Sequence, residues 1–239
     1  MYHRIAIIGS AGALGSALLH ELVASHPDAE IHAFARQPSG VSSGQVHCHA
    51  IDYNDEASFA RAAVVASANG PLYLIIVATG LLHQGDIMPE KALRDISADK
   101  LHALFAANAV VPALATKHFL PHIPKDKRAV FAAFSARVGS ISDNRLGGWY
   151  AYRASKAALN MLIKTAAIEV RRRHKAAVVV GLHPGTVDSA LSKPFQANVP
   201  PQNLFSPDYS ARALLDVLAG LSADDSGKCF AFDGEEILP

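Results

Sequence analysis

Ile5-Ala6-Ile7-Ile8-Gly9-Ser10-Ala11-Gly12-Ala13-Leu14-Gly15-Ser16 decides how the chain is read. Four apolar residues of strand character run into a glycine-rich turn, and Ala17-Leu18-Leu19-His20-Glu21-Leu22-Val23 then looks helical. In a strand–turn–helix unit, glycines of this kind point to dinucleotide binding. Gly9 permits the turn, Gly12 lets the backbone approach a pyrophosphate, and Gly15 allows the helix to pack closely on the sheet. Ser10, Ala13 and Leu14 complete the loop, and amides at the helix start face the phosphates. No Lys-Ser or Lys-Thr follows, which argues against a loop that cradles a triphosphate.

Working outward, apolar strand-like runs recur at 5–8, 30–35, 46–51, 72–78, 129–134, 176–182 and 228–232. Segments with helical periodicity near 11–25, 55–67, 99–118, 150–174 and 207–221 separate most of them, and Pro207 suits a helix start. Alternating strands and helices specify a Rossmann-type α/β fold, a doubly wound, mostly parallel seven-stranded sheet with helices on both faces. The 239 residues, half of them apolar, fit one domain with neither linker nor internal repeat.

The second strand ends at Ala35-Arg36 without the carboxylate that grips the adenosine ribose of NAD. Arg36 stands where a 2′-phosphate would lie, so NADP(H) is the preferred cofactor and NAD(H) the alternative; as an ordinary residue Arg36 is a solvated loop cation. Asp52 either accepts a hydrogen bond from the adenine amino group or caps the helix suggested by Asp55-Glu56-Ala57.

Tyr152 and Lys156 lie four residues apart on one helical face. A nearby ammonium favours phenolate over phenol and makes the tyrosine a usable acid or base. Such a pair also arises on many helices as plain packing. It is the glycine turn at the other end of the chain that makes it a candidate catalytic centre.

Composition removes other classes. With 22 basic and 21 acidic residues the net charge is +1, which gives no general attraction for nucleic acid. The one basic run, Arg171-Arg172-Arg173-His174-Lys175, falls at a helix end, where cations suit the dipole. Cys48 and Cys229 form no spaced redox or metal motif. The first strand is too short to span a bilayer and no signal peptide precedes it, so no membrane partner and a cytoplasmic location are expected. The histidine pairs His118/His122 and His47/His49 lack nearby carboxylates, and no metal site is expected. Without Gly-x-Ser-x-Gly, a serine hydrolase is disfavoured, and His183 before Pro184-Gly185 reads as part of a loop against cofactor.

Together these features resemble the short-chain dehydrogenase/reductases over essentially the full chain. Phe134 to Ile141 and Gly147 to Asn160 resemble the subgroup of the C-factor cell-contact signalling protein and the sniffer carbonyl reductase. The resemblance implies that Tyr152 is the catalytic acid/base, that Lys156 holds the nicotinamide ribose and lowers the tyrosine pKa, and that Asn108 supports a water relay behind the lysine. It places Pro184, Gly185, Thr186 and Val187 along the nicotinamide, and Ala78-Thr79-Gly80 in place of the usual Asn-Ala-Gly. The middle glycine of the loop comes one residue early, at Gly12 rather than at the position of Ala13. The family's carbonyl-polarising serine falls on Ala136, leaving Ser135 as the candidate replacement and Ser140 as another nearby hydroxyl.

The implied function is NADPH-dependent hydride transfer between nicotinamide and a small carbonyl or alcohol substrate, with an apolar lid at 189–206. A homodimer or homotetramer formed through the long helix and the one before it is also implied. A cofactor-binding regulatory or signalling protein with weak or no turnover is the competing class. An S-adenosylmethionine methyltransferase would leave the Tyr152–Lys156 spacing without a purpose.

Overall fold

The computed structural model describes residues 2–38 and 44–239. Strands β1 (Arg4–Ile8), β2 (Glu30–Ala35), β3 (Val46–Ala50), β4 (Leu74–Val77), β5 (Ala129–Phe134) and β6 (Ala177–His183) alternate with helices. The helices are α1 (Ala13–Ser25), α2 (Glu56–Ala66), α3 (Ala98–Phe105), α4 (Val111–Phe119) and α5 (Tyr150–Arg171). A two-residue parallel pairing of β7 (Thr186–Val187) with β8 (Leu204–Phe205) brackets most of the segment expected to form a lid, and α6 (Pro207–Gly220) leads to β9 (Cys229–Ala231). The main sheet has the order β3-β2-β1-β4-β5-β6-β9 with every pairing parallel.

Alternation along the strands sends side chains to two cores. Ala6, Ile8, Ile75, Val77, Phe131 and Val179 face α2, α4 and α5, while Ile5, Ile7, Leu74, Ile76, Val130 and Val178 face α1 and α6. Burial on both faces is why these strands read as unbroken apolar runs. The chain reverses direction of winding between β1 and β4, which opens a crevice at the carboxyl ends of the strands.

The expected strands all form, two with the expected bounds and the others with ends shifted by one or two residues. The expected helix at 99–118 does not run through as regular α-helix. Ala106–Val110 forms a π-helical turn between α3 and α4. The stretch Ala98–His122 has the length and apolarity of a membrane span, yet Leu104, Ala109, Ala115 and Phe119 are buried within the protein.

Candidate active site

The glycine turn is built by close contact. Gly9 has φ 93, and a Cβ there would lie 2.9 Å from the backbone of Ala78. A Cβ on Gly15 would come 2.1 Å from the Gly9 carbonyl oxygen, so neither position takes a side chain without moving backbone. Gly12, by contrast, is the N-cap of α1 with φ −72, and a Cβ there would meet only the Gly9 oxygen at 3.5 Å. Protein packing therefore does not demand Gly12. Ser10 turns inward and its hydroxyl donates to the Phe34 carbonyl. The first turn of α1 carries no acidic residue and no side-chain cap, which leaves the amides of Ala13, Leu14 and Gly15 without a side-chain partner at a helix start that suits an anion.

After β2, Arg36 is exposed and lies 5.9 Å over the Tyr53 ring. Asp55, not Asp52, caps α2, accepting from the Ala57 amide at 2.9 Å. Asp52 holds a local turn through the Asn54 amide and presents an exposed carboxylate.

The crevice continues past β4. Ala78 and Thr79 line the turn, and the Thr79 hydroxyl is buried without a hydrogen-bond partner. An orphaned hydroxyl beside the close-packed glycine turn fits a dinucleotide, whose polar groups would supply the missing partner. Gly80 sits where a Cβ would lie 3.7 Å from Asn108 Oδ1 and 3.8 Å from Lys156 Nζ. Asn108, fully buried in the π turn, accepts from the Leu81 amide and donates to the Leu81 carbonyl, both at 2.8 Å, and donates to Ser155 Oγ at 3.1 Å. Its side chain is a clamp between the loop after β4 and α5.

Tyr152 and Lys156 lie on α5, one turn apart. Lys156 is 2% exposed and its ammonium donates to the Phe134 carbonyl at 2.6 Å. Burial pulls the lysine down to about 8. The same loss of solvent pushes Tyr152 up to about 12. The lysine ammonium lies 5.8 Å from the centre of the tyrosine ring and is bonded elsewhere. In the protein alone, desolvation outweighs the lysine, so Tyr152 is not brought below its ordinary value.

Ser135 is turned away from the carbonyl-polarising role expected of it. It is 3% exposed, and its hydroxyl proton goes to Asn160 Oδ1 at 2.6 Å. A hydroxyl has one proton, so this one is not free to stabilise an oxyanion. Ser140 is buried too, accepting from the Asp143 amide and sharing a contact with Ser142. Pro184 to Val187 follow β6; Gly185 has φ 74, with the Phe205 ring where a side chain would stand. His183 is half-buried with its Nδ1 enclosed and unpartnered, and desolvation pulls its pKa down to about 4.

Sequence reading did not single out Glu90 or Trp149 at the start of α5. Glu90 is 2% exposed; its carboxylate accepts from the Ala151 amide at 3.2 Å and its carbonyl from the Trp149 amide at 2.6 Å. Trp149 is left-handed, φ 53 and ψ 40, a conformation costing about 1–3 kcal/mol for such a residue. No local pattern announces a buried carboxylate in an irregular loop. The Gly147-Gly148 pair before the tryptophan was the one available signal.

Of the histidines read as lacking carboxylates, His118 meets one directly and His49 reaches one only through His32. His32 bridges His49 at 3.0 Å and Glu30 at 3.1 Å, and His118 meets Glu56 at 3.1 Å. Among the described residues no group of three or more His, Cys, Asp or Glu is arranged to hold a metal ion.

C-signal of Myxococcus xanthus is 36% identical over 146 residues, which cover 61% of this chain and 82% of that protein. The fold matches the NADPH-bound carbonyl reductase from chicken fatty liver with a TM-score of 0.84 at 23% identity, over 99% of this chain and 94% of that one. Carbonyl reductase Sniffer of D. melanogaster matches with a TM-score of 0.86 at 19% identity, over the full length of both chains. Residues 4–200, from the first strand to the segment between β7 and β8, match the short chain dehydrogenase family, and the chain belongs to it.

Proposed function

We propose that the protein is an NADPH-dependent reductase of small carbonyl compounds. The observation that carries this reading is the Tyr152 phenol, one helical turn from a buried Lys156 that borders Gly80 and Asn108 at the end of a glycine-built dinucleotide crevice. Nicotinamide, when bound, supplies the hydride. Tyr152 holds a proton that it can give to a carbonyl oxygen, and a phenol raised to about 12 is stocked with that proton throughout the neutral range. Lys156 lies where it can reach a ribose hydroxyl, and its charge offsets the phenolate left behind. Asn108 fixes the loop that faces both. Arg36, exposed with no acidic residue beside it in sequence, supports NADPH over NADH, as does the cofactor named for the chicken neighbour.

The test is oxidation of NADPH and NADH against a panel of aldehydes, ketones, dicarbonyls and quinones, with binding titrations alongside. Tyr152→Phe is expected to abolish turnover and retain NADPH binding; an unchanged rate eliminates the mechanism, and equal efficiency with NADH eliminates the preference.

Ala136 and the committed Ser135 hydroxyl favour a second reading, a cofactor-binding regulatory protein. Losing one oxyanion donor costs about 10²–10³ in rate. Firm NADPH binding with no turnover of any panel member identifies this second case. In either case we infer a cytoplasmic dimer or tetramer joined through α4 and α5. Support comes from Met161 and Ile168, which leave α5 exposed and apolar, and from Val110 at the start of α4.

A further inference from the structure

Three aromatic rings from three separate segments gather beside the catalytic phenol, and the backbone is bent out of its ordinary range to bring one of them there. Trp149 is the one non-glycine residue with positive φ among the described residues, and Gly147 and Gly148 before it are left-handed as well. This run swings the indole against Tyr152, with centroids 6.1 Å apart and planes at 68°. Phe195, from the lid, lies 5.1 Å from Trp149. His83, from the loop after β4, lies 5.7 Å edge-on to Phe195 and donates from Nε2 to the Ala190 carbonyl at 3.1 Å, tying that loop to the lid. The buried Glu90 holds the strained entry to α5 from below. Backbone strain kept up by this much support, beside a reacting group, points to a function for the side chain it aims.

We propose that Trp149 is a specificity-determining residue which, with Phe195 and His83, forms an aromatic wall selecting carbonyl substrates that carry a flat aryl or conjugated group. The proposal rests on the reductase reading of Tyr152. Edge-to-face and offset contacts reward a planar π surface and give a puckered ring of equal size only its apolar area.

Acetophenone and cyclohexyl methyl ketone share the reacting group and carbon count and differ in ring flatness. Conjugation makes acetophenone the less electrophilic ketone, so intrinsic reactivity works against the expected preference. The wild-type protein is expected to show kcat/KM about tenfold or more in favour of acetophenone. Trp149→Leu is expected to bring the ratio near one, with NADPH affinity within about twofold of wild type as the check on folding. Equal kcat/KM for the two ketones in wild type, or a fall in both together in Trp149→Leu, overturns the proposal.

Trp149 is the only tryptophan in the chain, so saturable quenching of its fluorescence reports ketone binding to the NADP⁺ complex without any turnover. Preferential acetophenone binding without reduction upholds the wall and removes the reductase reading. Reduction of both ketones without preference does the reverse.

Discussion

Lys156 sets the expected pH dependence of the reaction. Burial holds it near 8, while the same burial keeps Tyr152 protonated to about 12. As pH rises through about 8, the lysine loses its charge first, and with it the field that offsets a developing phenolate. Carbonyl reduction is therefore expected to fall above about pH 8, and Lys156→Arg, which stays charged, to carry activity to higher pH. A pH–rate profile with its alkaline limb at the ordinary phenol value near 10 would refute this assignment. The identities of Tyr152 and Lys156 were legible in the sequence because four-residue spacing on a helix has a fixed geometric meaning. The fate of the Ser135 hydroxyl was not. Its partner Asn160 is 25 positions away, and only the packing of α5 on β5 brings them together. Asp52 is the cap candidate in the sequence, but α2 starts one residue later than the pattern suggests and Asp55 takes the cap.

At the scale of elements, the π turn between α3 and α4 is the departure that matters. Residues 99–118 have the apolar spacing of one helix, and one inserted residue per turn leaves almost no mark on that spacing. The turn places Asn108, fully buried, against both backbone groups of Leu81 and against Ser155. Asn108→Ala strands the Leu81 amide and carbonyl and is expected to destabilise the fold by about 2–4 kcal/mol. For a chain of this size that lowers Tm by about 2–4 °C per kcal/mol. Thermal melting and NADPH titration check it together: an unchanged Tm would show that the clamp does not hold the loop. The strands were far easier to read. Burial on both faces gave each central strand an apolar run bounded by turn residues, and what a Cβ would hit accounts for Gly9 and Gly15 of the first turn.

Across the whole molecule, burial makes several histidines poor bases. Desolvation lowers the pKa of His26, His32, His49, His122 and His183, the last to about 4. The unfolded chain binds protons at these sites near 6.5 and the folded one resists, so their contribution is complete above about pH 6.5 and is lost as pH falls below it. His183 alone contributes on the order of 2 kcal/mol of this difference at pH 5. The urea midpoint is expected to drop between pH 7.5 and pH 5.0, above the range where carboxylates titrate; an unchanged midpoint would contradict the burial of these rings. The strand order has a different consequence, felt during synthesis. By Val77 the ribosome has delivered β3, β2, β1 and β4 as neighbours, a contiguous half-sheet. Its growing edge is Leu74-Ile75-Ile76-Val77, wholly buried in the finished protein and open until Ala129–Phe134 emerges to pair with it. For more than fifty residues of translation the nascent chain carries a sticky apolar edge, which makes this interval, rather than the mature fold, the stage at which it most needs a chaperone.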